Sequence, residues 1–357
     1  MEELLEQPLE IADRATMFQY VFEYIQDHPT PEESTALAIQ LSNLMYDLTK
    51  TDALDFVFVG ALAMRIGALI EHQADPAALH PVFTITLKHF LEQFYLSWNI
   101  YCRSGDHPQL EGMDERLINE IQNELSNAGS DLELATAAFL SRCPEARQSF
   151  REREDFMWNI RSLRWQYGFL HKITHVLDQE ELVVLHVGDN WGFRIQCSGI
   201  SDNYQLQALL MHACGELFPE HYPVLHPQVL ACYQGEGPQG LNASFQPPWR
   251  TRQWTAVSEE GNLDEHTCHY IWGSGVPADI LHCPALDNIR VILLDSPPGG
   301  GMEVVRDFEG LKARLTVLEQ LDTDTCEQMI QVLIAVPNEQ KIAALRQYEQ
   351  DNFHSVF

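Results

Sequence analysis

The chain has 357 residues, 45% of them hydrophobic, and carries 52 Asp and Glu against 22 Lys and Arg, a formal balance of −30. That length and apolar content suit about two domains with substantial cores and exclude a fibrous or disordered chain. A negative field of this size opposes phosphate backbones and anionic membrane leaflets, so the expected partner is another protein, with no nucleic acid and no membrane.

The N-terminus, Met1-Glu2-Glu3-Leu4-Leu5-Glu6, has no basic stretch before an apolar run, so no secretory signal is expected there. The most apolar stretch, residues 56–70, contains Arg65 and falls short of a membrane span. Eight cysteines stand at positions 102, 143, 197, 214, 232, 268, 283 and 326, none in CxxC spacing. Reduced thiols in a cytoplasmic protein are the natural reading.

Taken along the chain, residues 1–178 predict a helical bundle domain. Phe18, Val21, Phe22 and Ile25 form one apolar stripe at helical spacing, and Leu37, Leu41, Leu44, Met45 and Leu48 form another. Residues 28–31 (His-Pro-Thr-Pro) separate them, with Thr30 suited to cap the second helix and Pro31 to its first turn. Phe156, Ile160, Leu163, Tyr167 and Leu170 alternate spacings of four and three, which predicts one long helix over residues 144–177.

Residues 179–357 predict a mixed α+β domain. Residues 182–187 read as a strand, residues 188–190 (Gly-Asp-Asn) as a turn, and residues 193–197 as a half-buried return strand. Asp202 or Ser201 then starts a helix, with Gln205 placed to close a capping box. A long Gly- and Pro-rich surface loop is expected near residues 233–252. Strands follow at residues 269–272 and 290–294, then helices near residues 308–321, 326–336 and 339–348. The fold class is α+β: a helical bundle, then short, mainly antiparallel strands with C-terminal helices.

Few features carry chemistry. His266, Cys268 and His269, with His282 and Cys283 across a Gly-Ser-Gly turn, concentrate metal-ligand types that could hold zinc. Their spacing matches no zinc-finger pattern, and cysteine is also a common core residue. His171 and His175 share a helical face but lack the intervening Glu of a zinc peptidase; histidines near a helix end explain them equally. In residues 295–301 (Asp-Ser-Pro-Pro-Gly-Gly-Gly) the prolines lack amide hydrogens and no Lys follows, so a structural turn is expected rather than a phosphate loop. Arg142, Arg147, Arg151, Arg153, Arg161 and Arg164 are interleaved with acids and read as a salt-bridged helix face.

Trp191, Trp249, Trp254 and Trp272 stand beside turns of the mixed half, and tryptophan is enriched at interface hot spots as well as in cores. They are the candidate partner-binding residues. The functional expectation is a non-catalytic interaction or accessory protein. The alternative is a metal- or thiol-dependent enzyme built around residues 266–283.

Overall fold

The computed structural model describes residues 19, 23, 30–51, 55–103, 107–153, 156–157, 159–160, 163, 168–252, 280, 282–295 and 301–353. The chain divides into two compact units, Met1–Thr174 and His175–Phe357. The first is helical where described and the second mixed, so the α+β class holds. Among the described residues no helix is long and apolar enough to cross a membrane.

In the first unit α1 (Pro31–Leu48) starts as the sequence dictates. Thr30 Oγ1 accepts from the Glu33 amide, the Glu33 carboxylate accepts from the Thr30 amide at 2.8 Å, and Pro31 opens the first turn. α2 (Phe56–Glu71) is capped by Asp55, α3 (Pro76–Leu79) is a single turn, and α4 (Val82–Trp98) runs on into a π-helical turn, Asn99–Arg103. The long α5 (Glu115–Arg142) packs along α2 with almost no side chain between them. A Cβ added to Gly60 would lie 2.9 Å from Ala128 Cα, and one added to Gly67 would lie 2.9 Å from Ala135 Cα. Both residues of each pair advance by seven, so the two helices run parallel along a seam of Gly against Ala.

The helix expected over residues 144–177 is instead interrupted. α6 (Pro144–Arg151) ends early, Leu163 lies in a turn, and α7 (Gly168–Thr174) is separate. Phe156, Ile160, Leu163 and Leu170 are all buried, as their spacing requires. Apolar spacing reports which residues face the core, not whether the backbone ladder between them is unbroken.

The second unit is built on a sheet whose strands lie in the order Arg250–Arg252, Ile289–Asp295, Leu177–His186, Trp191–Ile200 and Arg314–Leu321. β1 (Leu177–His186) and β2 (Trp191–Ile200) form the expected hairpin, and β8 (Arg314–Leu321) extends it antiparallel to β2. β6 (Ile289–Asp295) pairs with β1 in parallel, Leu182 opposite Arg290 and His186 opposite Leu294. β4 (Arg250–Arg252) and β5 (Ala285–Leu286) add antiparallel to β6, while β3 (Gly240–Phe245) and β7 (Met302–Val305) form a separate pair.

The central strands are apolar on both faces because both faces are covered. Leu182, Val184, Phe193, Ile195, Ile292 and Leu294 pack with α8 (Asn203–Leu217) and α9 (Pro227–Gln234). Val183, Leu185, Val291 and Leu293 face α10 (Thr323–Ala335) through Cys326, Ile330 and Leu333. α11 (Asn338–Phe353) follows. α8 starts on Asp202, whose Oδ1 accepts from the Gln205 amide at 2.8 Å, and Gln205 Oε1 accepts from the Ser201 amide at 2.8 Å.

Two expectations for this unit are corrected. Residues 233–252 are not one long loop: they hold the end of α9 and the strands β3 and β4, with Tyr233 buried and its hydroxyl donating to the Glu303 carbonyl at 2.8 Å. Residues 314–321 are a strand, not the end of a helix. Leu311, Leu315 and Leu318 recur at helical spacing, but the open side of β2 offers a hydrogen-bonding ladder that local periodicity cannot register. The strand expected at residues 269–272 and the stripe of Phe18, Val21, Phe22 and Ile25 lie outside the described residues.

Candidate functional site

Trp191, Phe193, Phe218, Tyr222 and Trp249 converge at the carboxyl end of β1. The turn there is fixed twice over. Asn190, at φ +50°, donates its amide to the His186 carbonyl at 3.1 Å, and the Val187 amide bonds to Leu294 of β6 at 3.0 Å. The turn sets His186 directly opposite Trp191, and strand alternation puts Phe193 on the same face. Trp191 consequently stacks near-parallel with His186 (centroids 4.9 Å, 17°) and with Phe193 (5.8 Å, 7°).

A second set of rings comes from the end of α8. Phe218 is its C-cap, and Gly215 lets the chain fold back, since a Cβ there would lie 2.7 Å from the Pro223 backbone. Phe218 lies 5.0 Å and Tyr222 5.7 Å from Trp191. Trp249, just before β4, meets Tyr222 edge-on at 5.1 Å and Trp191 at 6.3 Å. Such edge-to-face and offset pairs contribute roughly 0.5–1.5 kcal/mol each beyond area burial. The cluster is rigid behind and open in front: Trp249 and Phe193 are fully buried, whereas Trp191, Phe218 and Tyr222 are half-buried.

His186 is buried beneath this group. Its Nδ1 accepts from the Asp189 amide at 3.1 Å and also lies 3.4 Å from Asp189 Oδ2. The two contacts require opposite states of Nδ1. Burial pushes the imidazole pKa down, against the opposing pull of the Asp189 and Asp295 carboxylates. The shorter contact and the burial agree on a neutral ring with its proton on Nε2. Burial also pushes the Tyr222 hydroxyl up, partly offset by a hydrogen bond from the Trp191 side chain, and Asp189 acts on the same hydroxyl.

Of the four candidate tryptophans, the fold brings Trp191 and Trp249 together. Trp249 is 0% exposed, so it is corrected from a surface contact to the rigid backing of one: its ring packs against both Tyr222 and Trp191. Trp254 and Trp272 lie outside the described residues. So do His266, Cys268 and His269 of the zinc candidate set, while His282 is half-buried and Cys283 sits in the core beside α8. Among the described residues no group of three or more His, Cys, Asp or Glu is placed to hold a metal ion. His171 and His175 are each buried rather than surface groups.

The described arginines of this stretch also bond to main-chain carbonyls, besides the ion pair of Arg153. Arg142 donates to the Ile70 carbonyl at the end of α2, Arg147 to Leu140 near the end of α5, and Arg151 to Thr174 at the end of α7. Arg153 pairs with Glu92 at 2.5 Å. Guanidinium groups thus donate to carbonyls at or near helix ends. Arg161 and Arg164 lie outside the described residues.

Sequence reasoning missed His186, Phe218, Tyr222 and Asp189. The alternation Trp191-Gly192-Phe193 announces two rings on one face, but nothing local announces Tyr222, which arrives through a helix and a turn. The arrangement has to be read from its own chemistry, because no family model, no curated protein and no solved structure matches the chain.

Proposed function

We propose that this is a non-catalytic accessory protein of the cytoplasm that acts by binding another protein, through the aromatic face at the carboxyl end of β1. One observation carries the reading: Trp191, Phe218 and Tyr222 form a half-buried group of rings held from behind by buried Trp249 and Phe193. Interface energy concentrates in aromatic anchors that are ordered before the partner arrives, since little side-chain entropy is then lost on binding. The charge of −30 favours a partner surface of opposite sign.

The test is affinity capture of the full chain at native expression level, at low and moderate salt, with bound proteins identified by mass spectrometry. A stoichiometric partner should be retained by the parent chain and lost from Tyr222→Ala, with the circular dichroism of the variant unchanged. A chain that emerges alone at both salt levels, or a partner indifferent to Tyr222→Ala and Phe218→Ala, overturns the proposal.

A further inference from the structure

The same face carries a carboxylate placed among the rings. Asp189 is 65% exposed, lies in the turn between His186 and Trp191, and is close enough to act on both the His186 ring and the Tyr222 hydroxyl. Glu216, also well exposed, and Glu220 lie on the neighbouring segment that carries Phe218 and Tyr222. Among the described residues His186 is the one ion-pair partner of Asp189, and as a neutral acceptor from the Asp189 amide it supplies no positive charge.

We infer that the Asp189, Tyr222 and Trp191 rim receives an arginine or lysine side chain from a basic segment of the partner protein. This rests on the proposed interaction reading and names what the face selects. A long basic side chain divides into an apolar stem and a charged head, and this rim divides the same way. The half-buried edges of Trp191 and Tyr222 take the methylenes, while the Asp189 carboxylate takes the head by a charge-assisted hydrogen bond. Arginine suits the rim best, because its planar fork can also stack on an aromatic ring.

The geometry makes the rim sensitive to pH. When His186 gains its second proton, Nδ1 can no longer accept from the Asp189 amide and turns instead towards the Asp189 carboxylate 3.4 Å away. An internal cation then competes with the incoming one. The charged groups around His186 are Asp189 on the turn and Asp295 at the end of β6, with Arg250 of β4 in register with Asp295; the Tyr222 hydroxyl stays neutral across the range. Burial holds the imidazole below the ordinary histidine value, so the loss of binding falls on the acid side of it.

The experiment titrates the full chain with N-acetyl-arginine amide while following the Trp191 indole N–H by NMR, assigned by its absence in Trp191→Phe. N-acetyl-citrulline amide, a neutral molecule of the same shape, is the control. The expected result is a saturable shift with the arginine probe and none with citrulline, weakened about threefold or more in Asp189→Asn and lost on acidification as the His186 ring titrates. Equal shifts from arginine and citrulline, or an unchanged affinity in Asp189→Asn, overturn the inference. A partner lost from Tyr222→Ala but retained by Asp189→Asn leaves the interaction reading standing and removes the cation. Arginine binding without any captured protein does the reverse.

Discussion

The Arg306 guanidinium donates to the Cys232 carbonyl at 2.8 Å, closing the last turn of α9 from a segment 74 residues away in sequence. Its Nη1 also reaches the Gly237 and Pro238 carbonyls at 2.8 and 3.2 Å, and the side chain is buried. Lys341 does the same for Ile334 at the end of α10, at 3.1 Å. In a chain so short of bases, several of the buried ones finish helices. Arg306→Met should therefore destabilise the protein by about 2–4 kcal/mol, because three carbonyls, that of Cys232 buried, lose a charged donor together. Chemical denaturation measures this. Arg306→Lys should recover part of it, since all three bonds come from Nη1 and an ammonium is likewise a single nitrogen with several donors.

The Gly–Ala seam sets a sign that helix propensity alone would get wrong. Alanine in a helix interior is favoured over glycine by about 1 kcal/mol. At Gly67 the added methyl would sit 2.9 Å from backbone, which cannot move without parting the helices. Gly67→Ala is expected to lower the midpoint of thermal unfolding, and Gly67→Leu to abolish a cooperative transition in this unit. An unchanged midpoint for Gly67→Leu would show that α2 and α5 do not approach so closely.

Glu133 gives a pH-dependent test. It is buried and accepts from the Leu170 amide at 3.0 Å at the start of α7, while burial raises its carboxyl pKa against the bonds from Leu170 and Phe169. A raised folded value means the folded state holds the extra proton, so this group's contribution improves as pH falls through the window between the unfolded and folded values. Above that window the ionised group is a constant cost. Glu133→Gln keeps an acceptor and removes the charge, so it should be more stable than the parent above the window, with a flatter pH profile. Glu133→Ala should lose about 1–3 kcal/mol by leaving amide groups unpaired.

Thiol labelling separates the interaction reading from a thiol enzyme. Cys143, Cys197, Cys214, Cys232, Cys283 and Cys326 are all buried, and burial pushes the Cys197 thiol to about 12. A nucleophilic cysteine needs the opposite environment, exposed and shifted down. Cys283 should resist iodoacetamide in the native protein and react only on unfolding, as peptide mapping would reveal. Rapid native labelling at Cys283, or stoichiometric zinc in the purified chain, would return attention to residues 266–283.

What the sequence discloses about this fold is what its local chemistry controls. The Thr30 cap of α1, the Asp202–Gln205 start of α8 and the apolar runs of β1 and β6 are decided within a few residues and read correctly. β8 does not, because its strand state is imposed by β2. The seam is equally hidden: Gly60 and Gly67 look like breaks in a helix until Ala128 and Ala135 are laid against them. Of the candidate site, Trp191 was visible as a tryptophan beside a turn. Phe218 and Tyr222 were not, since they reach it only after α8 has packed on the sheet and turned at Gly215.

The parallel pairing of β1 with β6 has a consequence for the chain as it is made. Leu182 and its partner Arg290 are separated by more than a hundred residues, so β1, β2 and α8 leave the ribosome well before β6 exists. Until then the apolar run 182–185 presents one open row of amide and carbonyl groups, an edge that any other unpaired strand could extend. Nascent chains paused before residue 289 are the species in which association with a holding chaperone, or with each other, should concentrate.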